Sequence, residues 1–203
     1  MIRDAFYQKK CAETPVKRDV QVFWHTGEPG TGKSYTYVNL CEEHGESNVY
    51  LVTDYEHGFD KYNGQKFLVL DEFRGQLRFA LLLSLLDCYK VQVPCRYSNV
   101  FALWNEVHIT SVLPPEVVYR NMALENLSYD IYEQLSRRIH YVVYHYKLQS
   151  EYLMYQEPMK EYAGYELIKL HAEKLHATFE KCEDLDVFTE ESPIRLDIPS
   201  ENE

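Results

Sequence analysis

The 203-residue sequence lacks paired cysteines, long apolar runs, internal repeats and any excess of positive charge. Its five cysteines, Cys11, Cys41, Cys88, Cys95 and Cys182, are odd in number and form no C-x-x-C pair, which argues against a disulfide framework or a zinc knuckle. They are read as reduced and structural. No stretch reaches the roughly 18 apolar residues of a membrane-crossing helix. The first 20 residues are broken by Arg3, Asp4, Lys9, Lys10, Glu13, Lys17 and Arg18 instead of forming a signal-peptide core. A cytoplasmic chain with no membrane partner is expected. Basic residues number 21 against 32 acidic, a net charge of −11, so the surface as a whole is no cationic nucleic-acid footprint. Any polyanion site must be local. Residues 180–203 hold nine acids and two bases, which leaves −4 for the rest. No H-x-H triplet occurs anywhere.

What the sequence does have is an apolar share of 45% with 14% aromatics, enough for one globular core plus an appendage. Its periodicity changes in the order of an α/β domain. Residues 20–25 read as a strand, 34–43 as a helix opened by a glycine-rich turn, and 48–53 as a second strand. After a loop over 54–65, residues 67–70 form a short apolar strand and 77–86 a buried helix. Two extended pieces, 91–93 and 99–103, suggest a hairpin. Residues 107–110 form a strand stopped by Pro114 and Pro115. A helix over 131–138 feeds a last strand, 139–146. Tyr165, Ile168, Ala172, Leu175 and Phe179 then mark one apolar helix face. The expected organisation is a leader over 1–19, an α/β domain over 20–146, a helical extension over 147–180 and an acidic disordered tail over 181–203.

The chemistry is concentrated in Gly27, Glu28, Pro29, Gly30, Thr31, Gly32, Lys33 and Ser34, which fit G-x-x-x-x-G-K-[S/T]. Glycines let backbone N–H groups wrap phosphates, Lys33 reaches the β and γ phosphates, and Ser34 ligates Mg2+. A chance match is expected in about one sequence in 150 of this length. Here the motif also follows a strand and opens a helix, whose N-terminal dipole favours anions. Tyr35, the next residue, belongs to the same nucleotide-binding turn. An NTPase also needs an acid at the end of a buried strand, and residues 67–70 lead into Asp71 and Glu72. Asp71 is expected to hold the metal and Glu72 to polarise the attacking water. Thr110 and Ser111 offer hydroxyls at a third strand end. Arg137 and Arg138 can supply a finger to a neighbouring subunit's nucleotide.

The strings GEPGTGKS, LVLDEFRGQL, LLDCY, VPCRYSN, VHITSV and QLSRRI, in this order, closely resemble the superfamily 3 helicase domain of rolling-circle replication initiators (Rep). These belong to circular single-stranded DNA viruses and related bacterial plasmids and prophages. The resemblance covers about residues 20–146 and implies a modified AAA+ sheet, ATP-driven translocation on single-stranded DNA or RNA, and a ring, usually a hexamer. It places the Walker A motif at residues 27–34, Walker B at Asp71 and Glu72, and the motif C region at Thr110 and Ser111. The pre-sensor hairpin falls on 89–99, with Arg96 and Lys90 toward the channel. The finger is Arg137 or Arg138.

The sequence departs from the family in three ways. Val112 stands where motif C commonly ends in Asn. Asn99 and Val100 stand where relatives often add a lysine. The H-hydrophobe-H nickase motif is missing, so the chain is expected to be either a truncated or split product or a stand-alone helicase whose partner is a separate nickase protein. Leading, then, is an ATP-dependent helicase in replication of a circular mobile element, working in a bacterial or virus-infected cytoplasm. Two alternatives stay open, an ATP-binding module without a motor and a small-molecule P-loop kinase.

Overall fold

A computed structural model describes residues 12, 16–93, 95, 99–123, 129–183 and 194–196. Its centre is a seven-stranded sheet built from β1 (Gln21–Gly27), β2 (Val49–Val52), β3 (Phe67–Leu70), β6 (Glu106–Thr110), β7 (Tyr141–Leu148), β8 (Glu151–Pro158) and β9 (Ile194–Leu196). The spatial order is β2-β3-β6-β1-β7-β8-β9, the first five parallel and the last two antiparallel. A separate two-stranded hairpin pairs β4 (Gln92–Val93) with β5 (Val100–Phe101). Flanking helices are α1 (Tyr35–His44), α2 (Phe79–Leu86), α3 (Pro115–Ala123), α4 (Tyr132–Ser136) and α5 (Tyr165–Glu183). The expected α/β P-loop class, a largely parallel sheet between helices, is the class observed.

The two faces of the sheet are unequal. Alternate residues Val22 and Trp24, Leu68 and Leu70, Val107 and Ile109, and Val142 and Tyr144 join Leu82, Leu85, Val118, Ile168 and Ala172 in one large core. On the second face Leu40 of α1 packs on Val49 and Val69. That face also buries His25, His108 and His145.

Three expectations about the chain's organisation change. The leader is not separate up to residue 19, because Arg18 is 4% exposed and donates to Tyr89 O, Trp104 O and Asp87 O. Three carbonyls that end or leave secondary structure find in this one guanidinium the donors that burial denies them. Residues 147–180 are not all helical. β7 runs on to Leu148 and turns into β8, and α5 starts only at Tyr165. Nor does a disordered tail begin at 181. α5 continues to Glu183, and Ile194–Leu196 pairs with β8, whose outer edge offers unpaired backbone groups. The rest of that tail lies outside the described residues.

Pro114 and Pro115 do stop β6, but Pro115 also opens α3. Its fixed φ suits a first helical position, and the N–H groups of Val117 and Val118 donate to Pro114 O.

Candidate nucleotide site

All five parallel strands end at one edge of the sheet, and the loops leaving β1, β3 and β6 meet there. The loop after β1 is shaped by glycine. Gly30 and Gly32 have φ of 76° and 83°, a region that costs other residues free energy. A Cβ on Gly30 would meet nothing within 4 Å, so the loop presents open space on that side. Gly27 is required for the opposite reason. Its φ is 150°, and a Cβ there would lie 2.1 Å from His145 O on neighbouring β7.

Lys33 is buried and folds back over the loop, donating from Nζ to Gly27 O (2.9 Å) and Glu28 O (2.7 Å). Desolvation lowers its pKa, with Glu72 and Glu28 opposing that shift. A buried ammonium with only carbonyl oxygens as partners is ready to take an anion. Thr31 Oγ1 donates to Glu28 O at 2.8 Å and braces the turn. Ser34 stands exposed at the head of α1, and its hydroxyl is not spent on capping the helix.

Beyond β3 the two acids diverge. Thr110 Oγ1 donates to Asp71 Oδ1 at 2.6 Å and in turn accepts from Glu72 N at 3.1 Å. Tyr55 OH donates to Asp71 O, and its pKa is raised by burial and by the nearby Asp71 and Glu72 carboxylates. Glu72 has φ of +50°, rare for a residue with a Cβ, and its carboxylate Oε2 meets Arg74 Nη2 at 2.9 Å.

One cleft of about 380 Å³ collects Pro29, Gly30, Gly32, Lys33, Ser34, Tyr35, Glu72, Arg74, Val112 and Tyr152. Lys33, Ser34, Tyr35 and Glu72 thus line one cleft. Asp71 lies just behind, tied through Thr110. Neither hydroxyl of motif C lines the cleft. Thr110 is committed to the acids, Ser111 Oγ accepts from Leu113 N at 3.0 Å, and Val112 takes the cleft position.

Of the remaining candidates, Arg137, Arg138 and Lys90 do not line the cleft. Arg138 is held within its own chain, its Nη2 and Nε 2.6 and 3.2 Å from Asp87 Oδ2. Arg137, one residue after α4, is exposed. Lys90 Nζ sits 5.1 Å from the Phe101 ring centre at the base of the hairpin. Arg96 lies outside the described residues.

Sequence reasoning missed three features. Arg74 sits inside a motif string but was given no role, and Tyr152 belongs to a hairpin read as helix. The third is a buried line of imidazoles beneath the loop. His108 Nε2 lies 2.8 Å from Glu106 Oε1, His25 Nε2 2.9 Å from His108 Nδ1, and His145 Nε2 2.8 Å from His25 Nδ1. With Glu106 accepting, every ring is the Nε2–H tautomer, and His145 Nδ1 remains as a buried acceptor with no hydrogen-bond partner. Burial, then the neighbouring His145 and His108, push His25 well below the ordinary imidazole pKa. Burial and Lys33 push His145 down to about 3.

Residues 23–102 match the family described as RNA helicase. Relatives include the replication-associated protein of porcine circovirus 1, 34% identical over 113 residues (56% of this chain, 34% of the relative). That of beak and feather disease virus is 34% identical over 104 residues (51% and 33%). That of porcine circovirus 2 is 31% identical over 130 residues (63% and 39%). Over these stretches the chain is similar to a helicase family and to circovirus replication-associated proteins, in keeping with its resemblance to a superfamily 3 helicase domain of the Rep type. The chain spans between 33% and 39% of the length of these relatives. No helix among the described residues is long and apolar enough to cross a membrane.

Proposed function

We propose that the domain is an ATP-driven motor that moves along single-stranded DNA during replication, as one subunit of a homo-oligomeric ring, a hexamer by family resemblance. The observation that carries this reading is the convergence of Lys33, Ser34 and Glu72, from separate strand ends, on one cleft at the carboxyl edge of the sheet. Bound ATP and Mg2+ supply the phosphoanhydride bond and the charge that polarises it. Lys33 exchanges its two carbonyl partners for phosphate oxygens, which relieves the desolvation of its ammonium. Ser34 and Asp71 hold the Mg2+, and Thr110 keeps Asp71 oriented. Glu72 accepts the proton of the attacking water. Lys90 and Arg96 contribute local positive charge toward the strand, and each subunit adds a little of it. The 203 residues contain no H-x-H metal motif, so strand cleavage is not assigned to them.

A second reading, an ATP-binding module without a working motor, is favoured by one observation. The end of β6 places Val112 in the cleft, with Thr110 and Ser111 turned to protein partners. Steady-state hydrolysis separates the two. The motor reading expects ATP turnover stimulated by single-stranded DNA and reduced about 100-fold or more by Lys33→Ala and by Glu72→Gln. Turnover absent with both DNA and RNA, or untouched by these substitutions, refutes it. Stimulation by RNA alone would reassign the substrate.

A further inference from the structure

We propose that Arg74 senses the terminal phosphate of the nucleotide bound in its own subunit, and that it restrains Glu72 until a nucleoside triphosphate arrives. The inference rests on the nucleotide-hydrolysis reading above. Lys33 and Arg74 are the two cations among the residues that line the cleft. Lys33 rises from the phosphate loop, whereas Arg74 follows β3 on the side of Glu72, where the attacking water must stand. From the end of β6 the lining takes Val112, and neither Thr110 nor Ser111. Arg74 is therefore the polar group placed to read whether a third phosphate is present.

In the structure its Nη2 meets Glu72 Oε2 at 2.9 Å, and the two side chains are 58% and 52% exposed. An ion pair so exposed is weakly held. A triphosphate offers several anionic oxygens at a spacing that suits a guanidinium fork, and one carboxylate competes poorly with it. The backbone beneath need not move for this exchange. Gln76 Oε1 accepts from Arg74 N at 2.6 Å, Gln76 Nε2 donates to Glu72 O at 2.9 Å, and Glu72 N is held by Thr110 Oγ1. These bonds fix the turn at Glu72 and Gly75, both at positive φ, independently of the ion pair.

Once Arg74 lies on the γ-phosphate, the Glu72 carboxylate is free to accept a proton from water. The water oxygen bonds to phosphorus, the bond from phosphorus to the β–γ bridging oxygen breaks, and the diphosphate leaves with that electron pair. A diphosphate has nothing to draw Arg74 away, so Glu72 is restrained again.

The test uses the full chain and the variants Arg74→Ala and Arg74→Lys. Calorimetric binding of ADP and of a slowly hydrolysed ATP analogue is measured beside steady-state kinetics. Arg74→Ala is expected to bind the analogue about tenfold more weakly with ADP affinity unchanged, the loss of one charge-assisted hydrogen bond. Its kcat should fall about 100-fold, and its melting temperature should stay that of wild type. Arg74→Lys should recover most of the discrimination between the two nucleotides but less of the turnover. Arg74→Ala with wild-type discrimination and kcat overturns the proposal. So does a variant faster than wild type, because the arginine would then only restrain Glu72. A wild-type chain that binds neither nucleotide overturns the underlying reading and this inference with it.

Discussion

The buried imidazole line predicts a loss of stability in mild acid that exposed histidines would not cause. His145 has its pKa pushed from the ordinary 6.5 down to about 3, chiefly by burial and also by Lys33. Between those values the unfolded chain binds a proton that the folded chain refuses, so stability must fall as pH falls below 6.5. Each pH unit costs about 1.4 kcal/mol per proton, so at pH 5 His145 alone removes about 2 kcal/mol of the folded state's advantage. His25 acts in the same direction, because its pKa too is depressed, by burial and by its two imidazole neighbours. The groups facing this line are Glu106 at its outer end, His108 within it and Lys33 near its inner end. With a typical urea dependence of about 2 kcal/mol per molar, the unfolding midpoint should drop by about 1 M or more between pH 7 and pH 5. Salt should leave the drop largely intact, since the imidazoles are buried. The control is the double variant His25→Asn, His145→Gln, in which the other histidines and carboxylates still titrate. Its midpoint should change much less across the same interval. A wild-type midpoint that is equal at the two pH values, or a double variant that keeps the full drop, refutes the reasoning.

The close approach of Gly27 to β7 gives a second expectation. Gly27→Ala drives a methyl into His145 O and should cost about 3 kcal/mol, or about 6–12 °C in melting temperature, and an unchanged melting curve would contradict the geometry. Thr110→Val removes the donor to Asp71 and the acceptor for Glu72 N, which should cost about 1–3 kcal/mol in urea unfolding and depress hydrolysis, while Thr110→Ser should keep both. The two candidate fingers separate as well. Arg138→Ala breaks a pair only 15% and 18% exposed and should destabilise the fold by about 2 kcal/mol. Arg137→Ala should leave stability unchanged, lose turnover, and regain it when mixed with Lys33→Ala subunits.

The parts of this fold legible in the sequence are those where one residue type is physically obligatory. The phosphate loop is one, because only glycine tolerates the conformations at 30 and 32 and the contact at 27. β3 is another, an unbroken apolar run bounded by charge, and it falls on the expected residues. What escaped needed knowledge of neighbours. β8 buries Leu153 but also Glu157, which pairs with His171, so its alternation looks broken until the partner strand and α5 are in place. The imidazole line joins residues from three strands that are adjacent only because β1 lies between β6 and β7. Thr110 and Ser111 were visible as hydroxyls, but which way each points depends on Asp71 and on the turn at Leu113. The prolines were read for what they end and not for what they begin.

The distribution of strong and weak contacts says where this molecule can move. The segment between α2 and the β4–β5 hairpin is fastened three ways. Arg18 bonds Asp87 O and Tyr89 O, Arg138 grips the Asp87 carboxylate, and backbone bonds join Arg18 to Cys88 and Val16 to Lys90. Most of these groups are sheltered from water, so each costs its full desolvation penalty if it is left unpaired. At the cleft the order is reversed. Lys33 rests on carbonyls that an anion can replace, and Glu72 and Arg74 share an exposed pair above a turn that is itself secured. On the proposed nucleotide cycle, motion is expected to begin in these side chains, where exchange of partners is cheap. The hairpin base, by contrast, is tied to the core by Arg18 and by the Asp87–Arg138 pair.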